Sequence, residues 1–323
     1  MKDLLNVLYD HYNAQLPLGT VMPYGWTIVE VNYAVEVNDD GELTGIYALG
    51  ATSDADEVED KAKTKAKGKD TPYQKFTVPV RRTRTSGAYP YLFCDAAHYM
   101  FGTPKRDGKV STIDYYGAMK NAVLGLREYL GESPALCAIY KFYETWDNTK
   151  AEENPYIVAS NVANGGQCMF FYNGKPIFED DVFKKNYEKL TTAYGEMPIP
   201  QKDKNGKFVL PSKPTYIRSM ISGEVGLKAT LFNNVSVNGV NAYLLSNNKK
   251  NTNYFGREKG NAIPISQKDG HKICEAAKDL LTRRKNFFIP ASKSCNLKRS
   301  MVVWCDDVPK EEENAIIDLC FDT

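Results

Sequence analysis

Lysines at alternate positions, Lys61, Lys63, Lys65, Lys67 and Lys69, lead into "TPYQKFTVPVRRTRTSG". If this segment is extended, its ammonium groups reach along a phosphate backbone. Arg81, Arg82 and Arg84 add guanidinium forks, and Thr83, Thr85 and Ser86 add hydroxyl donors, the groups that bind phosphate oxygens best. Gly68 and Gly87 let the backbone approach a ligand closely. The acidic run "SDADEVED" stands just before the lysines and partly neutralises them while no ligand is present. Two later stretches repeat the chemistry. "RRKNFFIPASKSCNLKR" mixes basic residues with aromatics, and the asparagine-rich "NNKKNTNYFGREKGN" carries Asn248, Lys249 and Lys250. The plainer use of such lysines is to keep a loop solvated.

Other chemistries find less support. Were "CDAAH" helical, Cys94 and His98 would lie one turn apart on one face, a loose nucleophile–base pair. The segment around them, "YPYLFCDAAHYMFG", is crowded with aromatics and offers no third orienting group, so a buried cysteine and a packed histidine are the alternative. Asp95 reads as an N-cap for the helix that follows. His11, His98 and His271 are the only histidines, and the seven cysteines never fall in C-x-x-C spacing. Neither set has the close spacing of metal ligands. The glycine-rich "NGGQ" lacks the Lys-Ser/Thr of a phosphate-binding loop. No catalytic residue, metal ligand or cofactor is therefore assigned, and the expectation is a protein that is not an enzyme.

The chain has 323 residues, 42% hydrophobic and 25% charged, with a formal net charge of +1. That balance suits a globular protein of about two domains and excludes a uniformly basic coat, though not a local basic patch. An odd scatter of cysteines and the lack of a secretory h-region point to the cytoplasm. No apolar window approaches the length of a membrane span.

The elements that must position the basic residues are α+β. Met1–Gln15 reads as an amphipathic helix with Leu4, Leu8 and Tyr12 on one face. From Val29 to Val37 apolar and polar residues alternate, then Asn38–Gly41 turns the chain, which predicts a half-buried hairpin with one wet face. The acidic run and the lysines form an excursion that rejoins a strand at "YQKFTVPV". Two helices follow, "TIDYYGAMKNAVLGLREYLG" and "PALCAIYKFYETWDN". A second hairpin is expected in "PYIVASNVANGGQCMFFYNGKP", turning near Asn164–Gly166. "IFEDDVFKKNYEKLTTAY" is helical, with acids first and lysines later. Met197–Pro214 is a loop and soft boundary between a first region, 1–196 with its basic loop 61–87, and a second α+β region, 197–323. The second region holds strands at Tyr216–Ile221, Asn241–Leu245 and Ser300–Cys305, a helix over Ser266–Lys285, and another beginning at "EEENAIIDLC".

At "VPVRRTRTSGAYPYLFCDAAHYMFG" the sequence resembles the N-terminal region of the large subunit of the type I-C (Dvulg subtype) CRISPR surveillance complex, Cascade. That family carries a "VP…RTSG…P.FLCDN..Y..G" block after an N-terminal hairpin. Val78-Pro79, Arg84-Thr85-Ser86-Gly87, Pro90, Phe93-Cys94-Asp95, Tyr99 and Gly102 match it in order. "LLNVLYDHYNAQ" is similar to the family's start, "YLLSNNKKNTNYFGREKGNAIPIS" to its "SFN…SYGK..G.NAPVS" segment, and "SMVVWCDD" to its "VVFWA" strand. Ala96 stands where the family has asparagine, so any contact of that asparagine does not transfer. Family members extend further into a C-terminal helical region, which implies that this sequence corresponds to the N-terminal part or to a shortened form.

The resemblance implies an irregular large-subunit N-terminal fold of antiparallel β-hairpins and packed helices. It implies RNA-guided antiviral defence, with recognition of the protospacer-adjacent motif and help in opening the target duplex, and no nuclease activity of its own. Its partners would be the crRNA-containing Cascade subunits (backbone and crRNA-end-binding), target double-stranded DNA and, through the further helical region, the helicase–nuclease. Lys61–Lys75 would then contact DNA phosphates beside the flanking motif. Arg81, Arg82 and Arg84 would anchor the loop's base, with Arg84-Thr85-Ser86-Gly87 either in that role or as a structural turn. Gln74 and Asn248 are candidate base readers, since amides bond base edges. The alternative is a scaffold subunit that holds the crRNA 5′ end and its neighbours, docking through Tyr33, Phe170, Phe171 and Tyr172.

Overall fold

The computed structural model describes residues 3–50, 72–81, 84, 87–104, 112–229, 232, 234–237, 240–244, 263–282, 286–289 and 299–302. Within them the fold is α+β, with helices packed on small sheets. The chain forms two compact units, Gly25–Lys213 and the paired segments Met1–Tyr24 and Pro214–Thr323, so the first helix groups with the later part of the chain.

Gly25–Lys213 is organised by β1 (Trp26–Val31), β2 (Tyr33–Val37), β3 (Leu43–Ala48), β4 (Gln74–Pro79) and β5 (Cys94–Ala96). The helices α2 (Ala97–Met100), α3 (Tyr115–Leu130), α4 (Pro134–Thr145) and α5 (Pro155–Ser160) follow. Then come β6 (Gln167–Tyr172), β7 (Lys175–Pro176), α6 (Asp181–Tyr194), β8 (Gln201–Lys202) and β9 (Phe208–Val209). The central sheet runs β3-β2-β6-β5, with β7 against β6. Its pairings are antiparallel except β2–β6, which is parallel with Val35 opposite Phe170. Tyr33, Ala34, Val35 and Val37 of β2 are all buried, as are Cys168–Phe171 of β6. Strands covered on both faces read as continuous apolar runs, as Cys168–Phe171 of β6 does, whereas β2 keeps Glu36 among its buried residues. Phe142 and Tyr143 of α4 close one face over Phe170, with ring centroids 5.3 and 5.8 Å away. Each fully buried ring contributes about 1.5–3 kcal/mol. The helices start where capping chemistry allows. Asp114 accepts from Gly117 N, Ser133 from Leu136 N with Pro134 in the first turn, and Asp180 from Phe183 N.

The alternating run from Val29 to Val37 is not one hairpin strand. It breaks at Asn32 into β1, which pairs with β4 in a separate two-stranded ribbon, and β2, which enters the central sheet. The wet face expected for the whole run exists on β1, where Ile28 and Glu30 are exposed, whereas β2 is covered on both sides. The turn after β2 does fall at Asn38–Gly41. Asn38 Oδ1 accepts from the backbone N–H of Asp40 and of Glu42, and Gly41 takes φ +77°. A Cβ at Gly41 would sit 2.5 Å from Phe142 N, so only glycine lets this turn lie against α4.

The hairpin expected across Asn164–Gly166 is also corrected. "PYIVAS" forms α5, because Asn154 caps it by accepting from Tyr156 N and Ile157 N and Pro155 fits the first helical position. The real turn comes later, at Asn173-Gly174 between β6 and β7. Met197–Pro214, expected as a loop, contains the short hairpin β8–β9.

The other unit contains α1 (Leu4–Gln15), the ribbons β10–β11 (Tyr216–Arg218, Val225–Leu227) and β12–β13 (Asn234–Val237, Val240–Tyr243), α7 (Gln267–Thr282), and the ribbon β14–β15 (Asn286–Ile289, Arg299–Val302). Asp3 caps α1. Leu8 and Tyr12 of α1 share a core with Ile273, Cys274, Ala277 and Leu280 of α7. Into that apolar contact the chain also buries His11 and Asp279, with Nε2 and Oδ2 3.0 Å apart. The expected strand over Ser300–Cys305 is seen as far as Val302. The helix expected from "EEENAIIDLC" lies outside the described residues. No helix among the described residues is long and apolar enough to cross a membrane.

Candidate nucleic-acid interface

The lysine segment leaves the described structure after Gly50 and returns at Pro72. Lys61, Lys63, Lys65, Lys67, Lys69, Arg82, Thr85, Ser86, Asn248, Lys249 and Lys250 lie outside the described residues. What the structure defines is the base on which the segment stands, and one residue organises it. Asn32 O accepts from Leu49 N at 2.8 Å on the outgoing side, and Asn32 Nδ2 donates to Pro72 O at 3.1 Å on the returning side. Asn32 Oδ1 accepts from Gln167 N at 2.9 Å, and Asn32 N donates to Gln167 O at 2.9 Å, which pins the corner to β6. Both ends of the excursion are thus clipped to one asparagine at the start of β2, between β3 and β6.

Gln167 carries the network onward to the arginines. Arg81 Nη1 donates to Gln167 Oε1 at 3.0 Å, and Arg81 Nη2 donates to Cys94 O at 2.8 Å and to Cys94 Sγ at 2.9 Å. Arg84 Nε donates to Tyr89 O at 2.7 Å, and Arg84 Nη2 is bonded to Asp95 Oδ2. The Arg84 guanidinium also lies 3.7 Å from the ring centroid of Tyr91 and 4.1 Å from that of Tyr99. Cation–π contacts of this kind are worth about 0.5–2 kcal/mol each. Both guanidinium groups bond protein acceptors, and they tie the chain after β4 to β5.

Asp95 is the anion at the centre. Its carboxylate accepts from Tyr91 N and Ala96 N at 2.8 Å each, besides Arg84. Burial pushes its carboxyl above the ordinary range, while Arg84 and the two backbone N–H groups pull it down. Asp95 therefore ties Arg84 and Tyr91 to β5 and is not the cap of α2, whose N-cap Ala96 makes no side-chain bond. Phe93 takes φ 61° to aim its ring at Phe183 and Phe178 while Cys94 and Asp95 enter the strand. A left-handed phenylalanine costs roughly 1–2 kcal/mol, which its full burial offsets.

The expected helical pairing of Cys94 and His98 does not form. Cys94 is in β5, paired with Met169, and His98 is in α2 with its ring 4.9 Å from Tyr99 and 5.0 Å from Tyr115. Burial pushes the Cys94 thiol up to about 11, which keeps it in the weakly nucleophilic protonated form. The docking face expected around Tyr33, Phe170, Phe171 and Tyr172 is mostly core. Tyr33, Phe170 and Phe171 are buried, and Tyr172 is half-buried with its hydroxyl on Asp39.

Gln74 and Lys75 open β4. Gln74 is half-buried opposite Val31, on the inward side of the ribbon. Lys75 is exposed opposite Glu30, on the outward face it shares with Ile28 and Thr77. Residue types gave no sign of Asn32 or Gln167. Asn32 fills a polar slot in the alternation and so looks like one more wet-face side chain.

A CRISPR-associated family is where the whole chain finds its likeness. The family model described as "CRISPR-associated protein (Cas_Csd1)" matches residues 8–322. The chain belongs to this Cas_Csd1 family, which sets it in CRISPR-associated defence among the partners of a CRISPR complex. None of the curated proteins compared with it matches.

Proposed function

We propose that the chain is the DNA-binding large subunit of a type I-C effector complex. In this reading it recognises the protospacer-adjacent motif and helps open the target duplex, without catalysing a reaction and without a metal or cofactor. Base pairing with the guide reads the target sequence, and the subunit reads the short flanking duplex and holds it by its phosphates. Lys61, Lys63, Lys65, Lys67, Lys69 and Lys75 lie along those phosphates, and Asn248 reaches base edges, while Gln74, turned inward at the start of β4, supports Lys75 beside it. Arg82, Thr85, Ser86, Lys249 and Lys250 add contacts to the backbone. Arg81 and Arg84 act as positioning residues that hold the base of the segment. The neighbours are the crRNA-containing backbone and crRNA-end-binding subunits, in the cytoplasm.

The observation that carries this reading is the clip at Asn32. A lysine-rich segment whose two ends are fastened to one corner of a sheet is presented from a fixed point, which lowers the ordering entropy given up when it grips a ligand. The test is duplex binding by the assembled complex across a salt series, with wild type compared against Lys61, Lys63, Lys65, Lys67 and Lys69 all changed to alanine. Loss of affinity is expected on targets with and without the flanking motif alike. The slope of log K against log salt should become shallower by about 0.9 for each phosphate that is no longer neutralised. An unchanged slope with loss of guide RNA from the complex would favour the scaffold role.

A further inference from the structure

Between Gln201 and Lys213 four lysines, Lys202, Lys204, Lys207 and Lys213, stand against one carboxylate, Asp203. Composition made this stretch a loop, but it folds into β8–β9, with Lys202 opposite Phe208 and Gln201 opposite Val209. Asp203 is spent on the turn. Its Oδ1 accepts from Asn205 N at 2.8 Å and Lys207 N at 2.9 Å, and its backbone accepts from Gly206 N and donates to Lys207 O. Gly206 takes the φ of +78° that the turn requires. Lys202, Lys204, Asn205 and Lys207 are all exposed at this end of the hairpin.

The hairpin is also seated. Phe208 and Pro200 lie against Gly125 of α3 so closely that a Cβ there would come within 2.8 Å of the Phe208 ring and 2.9 Å of Pro200 Cβ. The Lys202 ammonium lies 5.2 Å from the centroid of the same ring. Just before β8 the chain passes along the residues that follow β4. Tyr89 Oη lies 3.4 Å from Met197 O, and Met197 and Ile199 line one cavity with Val80, Arg81 and Tyr91. The hairpin therefore begins two residues beyond the wall that Arg81 helps to form.

We propose that the β8–β9 hairpin is a second phosphate-contacting site, which grips the backbone of the same target duplex as the lysine segment. This rests on the DNA-binding reading above. Three exposed ammonium groups on a short, seated turn fit a phosphodiester backbone, which takes point charges at regular spacing and needs no base-specific donor. Through Met197 and Ile199 the hairpin continues from the cavity that Val80 and Arg81 help to line, which joins it to the chain that follows β4.

The test uses the assembled complex with its guide, carrying Lys202, Lys204 and Lys207 all changed to alanine, beside the variant of the five segment lysines. A shallower salt slope is expected, by about 0.9 per phosphate and so up to roughly 3, with equal loss of affinity on targets with and without the flanking motif. Arginine at the same three positions should restore the slope, since it keeps the charge. An unchanged slope in the hairpin variant, with the segment variant still shallower, would overturn the hairpin site and leave the DNA-binding reading standing. Loss of guide RNA with duplex affinity per complex unaltered would overturn it too, by moving the site to the guide. If neither variant changes the slope, the DNA-binding reading itself fails and the hairpin site fails with it.

Discussion

The two units bury polar groups in opposite ways. In Gly25–Lys213 the interior is aromatic, with Phe93, Phe101, Tyr140, Phe142, Tyr143, Phe170, Phe183 and Tyr187 fully covered, and Asp95 is the one buried carboxylate among the described residues. In the other unit α7 alone buries Asp269, His271, Glu275 and Asp279, and α1 adds His11. The first arrangement makes a stiff support whose single internal charge is matched by Arg84. The second makes a helix pair with ionisable side chains buried in and beside its contact. The residues that flank the basic segment, Leu49 and Pro72, are fastened to the first unit through Asn32, the support that the proposed DNA-binding role requires.

Breaking the Asp95 pair should have the largest effect. Arg84→Ala leaves a buried carboxylate without its cation and should cost about 3–5 kcal/mol, read as a lower midpoint in denaturant for the unit that contains it. Phe170→Ala opens a cavity beneath Phe142 and Tyr143 and should cost a similar amount, about 3–5 kcal/mol, without touching the charge. If Arg84→Ala proved neutral, the picture of a matched internal charge would be wrong while the aromatic support remained.

Asn32→Ala comes next. It removes the side-chain bonds to Pro72 O and Gln167 N and should cost about 1–3 kcal/mol, with faster amide exchange at Tyr73 and Gln74 before any change in the rest of the sheet. Gly125→Ala should destabilise by about 1–3 kcal/mol through crowding of Phe208, although alanine is the better helix former by about 1 kcal/mol. A stabilised variant would mean that the hairpin is not seated there.

The smallest effect belongs to the other unit and is a matter of pH. His271 is buried between the Tyr12 and Tyr24 rings, near Glu275 and Lys278, with Nε2 on Met22 O. Burial lowers its pKa, so the folded state favours the neutral ring. Its contribution is complete above the unfolded value of about 6.5 and is lost as the pH falls through the lower folded value. His271→Gln keeps a donor for Met22 O and should flatten the acid loss of protection in α7. The amides of α3 and α4 should respond to neither the acid nor the substitution.

Much of the fold was legible because periodicity and caps are local. Helices α1, α3, α4, α6 and α7 lie where the sequence predicts helices, and the structure shows Asp114, Ser133 and Asp180 capping three of them. The break at Asn32 was not legible, since a polar residue in a polar slot gives no sign that its side chain will bond Pro72 and Gln167, respectively 40 and 135 positions away. α5 was missed although Asn154-Pro155 is a cap signal, because the β-branched "YIVAS" and the glycines after it suggest a strand and turn. At the site, charge type and spacing pointed to the basic segment, but not to where Arg81 and Arg84 direct their donors, which long-range packing of Gln167 and Asp95 decides.

The most direct measurement is hydrogen exchange of the assembled, guide-loaded complex with and without target duplex carrying the flanking motif. Protection on adding duplex is expected through residues 49–81 and 201–209, with α1 and α7 unchanged. No added protection in those segments, or protection already complete when the guide is bound, would contradict the assignment of the basic surface to target DNA.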